Sequence, residues 1–368
     1  MNPYPYPSDT AQPAPPQWPA PEPLRKQLPF RFTGNAPEYF RIWIVNTLLS
    51  IITLGIYSAW AKVRRKQYFY RHTWVDGSSF EYLADPLKVL KGRLVIGAFL
   101  IALAATQHYS LELYIALLVL LLLASPWLAT KALAFNARNS AYRNVRFAFA
   151  GRTSEAYGAY FIFLLIYAVS CGLGYPYGQW RLTQFVVTRH YFGDQAFRWA
   201  AKVVDYFVVY LLAFVAVFPA YAGLVAWAVF MGAGKAADGG PPKGPDPKLM
   251  VPIFALLYVY LLVPAAFLRA RLANLLFGGL RLEDHHFTSN QRARDVLVLY
   301  ATNALAILFS LGLLIPWAQI RLARYRAEHL TLLAAGDLHA LSFGLEGGRT
   351  AVGDAATDLG DLDLDLGL

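Results

Sequence analysis

Cysteine occurs once in the 368 residues, at Cys171. That excludes an intramolecular disulfide and any cysteine-rich metal site. Charge is scarce as well: 15% of residues are Asp, Glu, Lys or Arg, against about 25% in an ordinary soluble domain, while 57% are hydrophobic. No basic n-region and apolar h-region opens the chain, which predicts no cleavable signal peptide and insertion through internal helices. Motifs of common enzyme chemistries are missing. There is no H-E-x-x-H, no G-x-G-x-x-G and no nucleophile elbow, and Gly234-Lys235 lacks the leading Gly and the Ser/Thr of a phosphate loop. Neither His72 nor His329 has a partnered base or a metal-ligand cluster around it in the sequence. The expectation is a non-enzyme without metal or cofactor.

What is abundant is apolar sequence in long runs. The clearest are 94–106, 113–130, 203–231 and 249–268, rich in Leu, Val, Ala and Phe. A bilayer-spanning helix needs about 20 such residues. The run 203–231 exceeds that and is interrupted at Pro219, which implies tilt or a kink. The expected fold class is therefore all-α: a polytopic helical membrane protein with two clear transmembrane hairpins. The ends differ. Residues 1–28 form a Pro-rich tail whose composition cannot build a packed core. Residues 346–368 alternate acidic and small apolar residues, readable as a solvated tail or as a peptide that binds a protein partner.

Internal repetition carries most of the information. Laying 29–73 over 286–330 without a gap matches Phe30 with Phe287, Asn46 with Asn303, Gly55 with Gly312, Trp60 with Trp317, Arg64 with Arg321, Tyr68 with Tyr325 and His72 with His329. A looser third copy begins at Phe147-Ala148-Phe149-Ala150-Gly151, runs through Leu173-Gly174 to His190, and lacks the Trp/Arg spacing. The expected organisation is membrane repeat 1 over 29–144, repeat 2 over 145–285 and a partial repeat 3 over 286–345. Each copy starts with an apolar segment, 39–54, 157–173 or 296–311, that breaks at a Leu-Gly pair. If all seven apolar segments cross, Lys and Arg divide into 20 on one side and 13 on the other. If the three broken segments dip in and return, all but Lys235, Lys243 and Lys248 share one side. The second arrangement obeys the positive-inside rule better; against it, about 16 helical residues reach about 24 Å, nearly a thin bilayer.

Trp60, Arg64, Tyr68 and His72 are spaced by four and form one slowly turning helical stripe, repeated by Trp317, Arg321, Tyr325 and His329. Two readings stand. The stripe is an interfacial helix face, with Trp and Tyr at headgroup level and Arg reaching phosphate. Alternatively, Arg64 or Arg321 holds an anionic headgroup or substrate beside a His that titrates near neutral pH. The net charge of +10 points to anionic membrane lipid rather than nucleic acid. Asn46 and Asn303 sit mid-segment, where an amide is costly unless paired, either with each other's segments or along a polar pathway. Glu38 and Asp295, joined by Glu155, sit where those helices begin and complement the positive helix end, or couple protons.

The stretch Phe30-Arg31-Phe32-Thr33-Gly34, then Leu54-Gly55 through Trp60-Ala61-Lys62-Val63-Arg64, Tyr68 and His72-Thr73, resembles the YjgN family of bacterial inner-membrane proteins, also called the domain of unknown function 898 family. So do Leu311-Gly312 through Arg321 and the closing Asp363-Leu364-Asp365-Leu366-Gly367-Leu368. Ala59 departs from the pattern where the last copy has Pro316, and the middle copy has lost most of it. The resemblance implies a cytoplasmic-membrane location and no settled activity. It also implies a membrane protease as a partner. With both tails placed on the cytoplasmic side, two functions follow: transport or lipid handling, or a non-transporting scaffold that recruits a partner through its tails.

Overall fold

The structure, a computed structural model, describes residues 25–237 and 247–336. The two tails beyond these limits, including most of 1–28 and all of 346–368, lie outside the described residues, as does Lys243. Among the described residues the chain forms ten helices and eleven strands. The all-helical expectation is thus overturned. The stretches between helices that read as basic connectors are β-hairpins, with strands of three to five residues. Strands that short carry too few alternating positions to stand out beside long apolar helices.

The order is β1 (Lys26–Pro29), β2 (Arg31–Phe32), α1 (Ala36–Ile52), α2 (Ser58–Arg71), β3 (Thr73–Val75), β4 (Ser78–Tyr82), α3 (Pro86–Tyr109), α4 (Leu111–Arg138), β5 (Ser140–Tyr142), β6 (Val145–Phe149), α5 (Thr153–Val169), α6 (Tyr175–Thr188), β7 (His190–Phe192), β8 (Gln195–Trp199), α7 (Val203–Ala237), α8 (Pro247–Gly278), β9 (Leu280–Leu282), β10 (His285–Ser289), α9 (Ala293–Phe309), α10 (Ile315–Glu328) and β11 (Leu330–Ala334). One rule generates it. Helix, helix, strand, tight turn, strand occurs four times, and a fifth helical pair, α9 and α10, ends in β11, whose missing hairpin partner is β1 from the other end of the chain. The three copies seen in the sequence are the first, third and fifth units.

All strand pairings are antiparallel, in the order β1-β11-β10-β9-β8-β7-β6-β5-β4-β3-β2. Because β1 and β2 are one extended segment interrupted only at Phe30, the sheet closes on itself as a barrel. At the junction Phe30 N–H donates to Leu330 O at 3.0 Å, and Thr33 N–H donates to His72 O at 2.9 Å. Closure leaves no free sheet edge.

Register fixes where the helices stand. The pairs Phe32 with Thr73, Tyr82 with Ser140, Phe149 with His190, Trp199 with Leu280 and Ser289 with Leu330 join the residue before each helical pair to the residue after it. All ten helices therefore spring from one rim. The hairpin turns occupy the other rim, where Asp76, Gly77, Arg143, Asn144, Gly193 and Glu283 take positive φ, as tight turns between twisted strands require. Inside the barrel, Phe30, Phe80, Phe147, Phe197 and Phe287 come from corresponding places in the five units and pack with Val75, Tyr142, Phe192, Leu282 and Leu332. Phe30 lies 6.3 Å from Phe80 and 6.5 Å from Phe287, ring centre to ring centre, and Phe147 lies 6.4 Å from Phe197. This is a filled apolar core rather than a channel.

The helices form two rings. Each first helix (α1, α3, α5, α7, α9) packs on its own partner and on the second helix of the preceding unit, α1 closing onto α10. Carboxylates Glu38, Glu155, Asp205 and Asp295 lie in the first turns of α1, α5, α7 and α9, where the helix dipole favours them. Asn35 caps α1 by accepting from Glu38 N–H at 2.9 Å, and Asp85 caps α3 through Leu87 N–H. The units differ mainly in length. In the first, third and fifth, a 17-residue helix turns back into a 14-residue one. Each turn is set by Leu54-Gly55, Cys171-Gly172 or Leu311-Gly312, all at positive φ, with the glycine N–H donating to the carbonyl five residues back. That conformation favours glycine. The broken segments are thus hairpins that return to the barrel. In the second and fourth units the four helices run 24 to 35 residues and are long and apolar enough to cross a membrane.

Candidate functional site

The second helices do not meet on the axis. They enclose a cavity of about 950 Å³ directly over the barrel, with Phe30, Phe80 and Phe147 at its floor and every one of the five second helices contributing to its wall. The wall positions follow from helical geometry. In α8 they are Arg269, Leu272, Ala273, Leu276 and Phe277, and in α10 Leu322, Ala323, Arg326 and Ala327, a three-and-four spacing that keeps one face inward. The volume falls within the range of small-molecule and lipid-sized sites.

The wall is amphipathic and of one sign. Arg269 and Arg326 reach it together with Asn136, Gln179, Thr183 and His190, but no carboxylate among the described residues lines it. Neither arginine has a hydrogen-bond or carboxylate partner among the described residues. Counted at 1.5 Å per residue from the strands that follow, Arg326 stands about 6 Å and Arg269 about 16 Å above the barrel rim. Asn136 is held in place by Lys66 Nζ, which donates to its Oδ1 at 2.8 Å, and by the Tyr82 hydroxyl at 3.3 Å. His190 Nδ1–H donates to Val186 O at 2.7 Å, leaving Nε2 as an acceptor in the neutral ring. Burial holds the His190 pKa below the usual imidazole value, so the ring adds no third charge near neutral pH.

The stripe residues do not line this cavity. Their two halves do different work. Tyr68 accepts from Asn35 N–H at 3.0 Å and donates to Asn35 O at 3.0 Å; Tyr325 makes the same pair with Arg292, at 3.0 and 3.3 Å. Each tyrosine pins the corner where its own unit's first helix leaves the barrel. His72 Nδ1–H and His329 Nδ1–H donate at 2.8 Å to the carbonyls of Tyr68 and Tyr325, their rings lying over the tyrosine rings at 4.2 and 4.1 Å. Trp60 packs beside Tyr57, at 6.0 Å, and Arg64 is exposed with its guanidinium 5.9 Å from the Tyr57 ring. Arg321 lies over Trp317 at 4.9 Å and donates to Thr302 Oγ1 at 2.7 Å and to Asn303 Oδ1 at 3.0 Å.

Asn46 and Asn303 are both buried, but they do not pair with one another. Asn303 bonds within its own hairpin, to Arg321 and weakly to Ala318 O, while Asn46 Oδ1 has no donor among the described residues. The sequence reading missed the cavity arginines. Arg269 lies in the basic stretch after an apolar run and Arg326 lies one residue beyond Tyr325, off the repeating stripe; their position on the inward face becomes visible only once the helices are arranged around an axis.

Comparison with known proteins bears on this site only at the level of family. The description "Bacterial protein of unknown function (DUF898)" matches residues 27–359. The inner membrane protein YjgN of Escherichia coli O157:H7 is 33% identical over 144 residues, 39% of this chain and 36% of that protein. Inner membrane protein YjgN of Escherichia coli strain K12 is 37% identical over 121 residues, 33% of this chain and 30% of the relative. The chain thus matches about a third of the length of these curated relatives. No solved structure matches.

Proposed function

Because the chain belongs to the DUF898 family and is similar to inner membrane proteins of that family, we propose that it is a multi-pass inner-membrane protein that handles lipid, holding an anionic amphiphile in the central cavity. One observation carries the reading: two arginines without partners among the described residues, at two heights, in an amphipathic wall that no described carboxylate joins. A guanidinium in a partly dry site attracts phosphate or carboxylate strongly, and the surrounding Leu, Ala and Phe side chains suit an acyl chain. The filled barrel gives no passage along the axis, so exchange runs sideways, between helices and bilayer. The barrel and both tails stand on the cytoplasmic side, the arrangement that places nearly all Lys and Arg there.

The test is the lipid that stays with the protein. Purified in mild detergent and analysed by native mass spectrometry, the wild type should retain an acidic lipid. The Arg269→Gln, Arg326→Gln double variant should lose it at least tenfold, the effect of about 1.4 kcal/mol. Equal retention by both proteins would refute the reading.

A further inference from the structure

The aromatic-and-cation half of the stripe, visible twice in the sequence, recurs in all five units once the barrel supplies the alignment. Thr73, Ser140, His190, Leu280 and Leu330 begin the strand that follows each helical pair, and all five pair at the same rim. Nine residues before them stand Arg64, Lys131, Arg181, Arg271 and Arg321. Thirteen before them stand Trp60, Trp127, Tyr177, Phe267 and Trp317. Every second helix therefore carries a cation at one height, about 14 Å from the rim, with an aromatic ring one turn further out. Nine residues at about 100° each is half a turn from the strand residue, so these cations point away from the cavity. None of the ten residues lines it. Arg64, Arg181 and Arg271 are exposed, and Arg271 and Arg321 lie 5.8 and 4.9 Å over their own unit's aromatic.

Helix lengths beyond this girdle are of two kinds. From Arg64 to Ser58, Arg181 to Tyr175 and Arg321 to Ile315 the helix runs on for about 9 Å before the turn. From Lys131 to Leu111 it runs about 30 Å, and from Arg271 to Pro247 about 36 Å. The hydrocarbon core of a bilayer is about 30 Å thick. The short hairpins end in apolar side chains that no described residue covers: Leu54 is 95%, Leu311 93% and Leu173 77% exposed.

We propose that the five cations form a girdle that binds anionic phospholipid headgroups of the barrel-side leaflet and sets the depth of the protein. With the girdle at headgroup level, α3, α4, α7 and α8 cross the hydrocarbon, the three short hairpins bury their tips within the first leaflet, and the barrel stands outside. The aromatic ring on the tip side of each cation occupies the boundary layer that Trp and Tyr favour, while the longer Arg and Lys side chains reach back to phosphate. This inference does not rest on the cavity ligand.

The experiment uses the full chain in nanodiscs of phosphatidylcholine with about one third phosphatidylglycerol, reading enrichment of spin-labelled phosphatidylglycerol around the protein. Each cation-to-Gln variant (Arg64, Lys131, Arg181, Arg271, Arg321) should weaken enrichment about fivefold at one site, and the five together should abolish it. Neutralising Lys26, Arg31, Arg146, Arg198 and Arg281 on the barrel should leave enrichment in place, and so should Arg269→Gln with Arg326→Gln. Should the fivefold variant not fold, Arg64→Gln and Arg181→Gln alone carry the comparison. Cys171, at the tip of the third unit's helical hairpin, supplies a depth reading in the unaltered chain: in intact membranes it should react with a membrane-permeant maleimide and resist an impermeant one from either side. Enrichment unchanged in the girdle variants, an equal loss in the barrel set, or ready labelling of Cys171 by the impermeant reagent would overturn the proposal.

Discussion

Replacing Tyr68 with Phe separates the two halves of the recurring stripe. The tyrosine ring is 5% exposed and sits in the core that joins α1 and α2 to the barrel, so Phe keeps the packing. What it removes is the hydroxyl that both accepts from and donates to the Asn35 backbone, each bond at 3.0 Å. An intramolecular hydrogen bond contributes about 0.5–1.5 kcal/mol net, and two lost together with a backbone N–H left without its partner come to about 1–3 kcal/mol. Arg64→Gln, on the exposed outer face, should change stability by no more than about 0.5 kcal/mol. Denaturant unfolding of the purified protein in mixed micelles, followed by tryptophan fluorescence, measures both. A Tyr68→Phe variant as stable as wild type, or an Arg64→Gln variant that loses as much, would refute the division of the stripe into a barrel-corner clamp and an outward-facing half.

The two buried amides should behave oppositely. Asn46→Leu removes an acceptor that has no donor among the described residues and is expected to be neutral or stabilising, whereas Asn303→Leu takes one of two acceptors from the Arg321 guanidinium and should cost about 1–3 kcal/mol, both read in the same unfolding assay. Barrel closure can be locked. In a Cys171→Ser background, Gln27→Cys with Leu333→Cys places two thiols on directly opposed residues of β1 and β11, about 5 Å apart at Cβ, and mild oxidation should join them without loss of fold; a pair that stays reduced speaks against closure. His190 gives a pH signature. Its pKa is lower in the fold than in the unfolded chain, so its neutral form contributes stability that is fully present above the ordinary imidazole value near 6.5. That contribution is lost as pH falls from there to the lower folded value, then levels off. A His190→Gln variant should flatten this part of the stability profile, and an unchanged slope would exclude His190 as its source.

The spans were legible because each is a single uninterrupted signal: 94–106, 113–130, 203–231 and 249–268 fall within α3, α4, α7 and α8. Two of the three breaks were legible too, since Leu54-Gly55 and Leu311-Gly312 are the positive-φ turns, but in the third unit the turn falls at Cys171-Gly172, two residues before the Leu173-Gly174 pair. The barrel was not. Each strand offers one or two inward side chains, and the pairing that closes the sheet joins Lys26 to Ala334 across the whole described chain, which no local pattern announces. Two traces were nonetheless present in the sequence. Asp76-Gly77 is a strong hairpin signal. Phe30, Phe147, Phe197 and Phe287 are each followed eight residues later by a carboxylate, and Phe80 by Lys88 at the same distance. The cavity was illegible for a different reason: Arg269 and Arg326 do not occupy equivalent positions in their units, so repetition could not pick them out.

Occupancy of the central cavity is read most directly from an experimental density map of the full chain in lipid nanodiscs. Elongated density is expected in the cavity over Phe30, Phe80 and Phe147, its acidic end against the guanidinium of Arg269 or Arg326. A cavity holding only water, or one collapsed with those arginines paired to carboxylates of the chain, would contradict it.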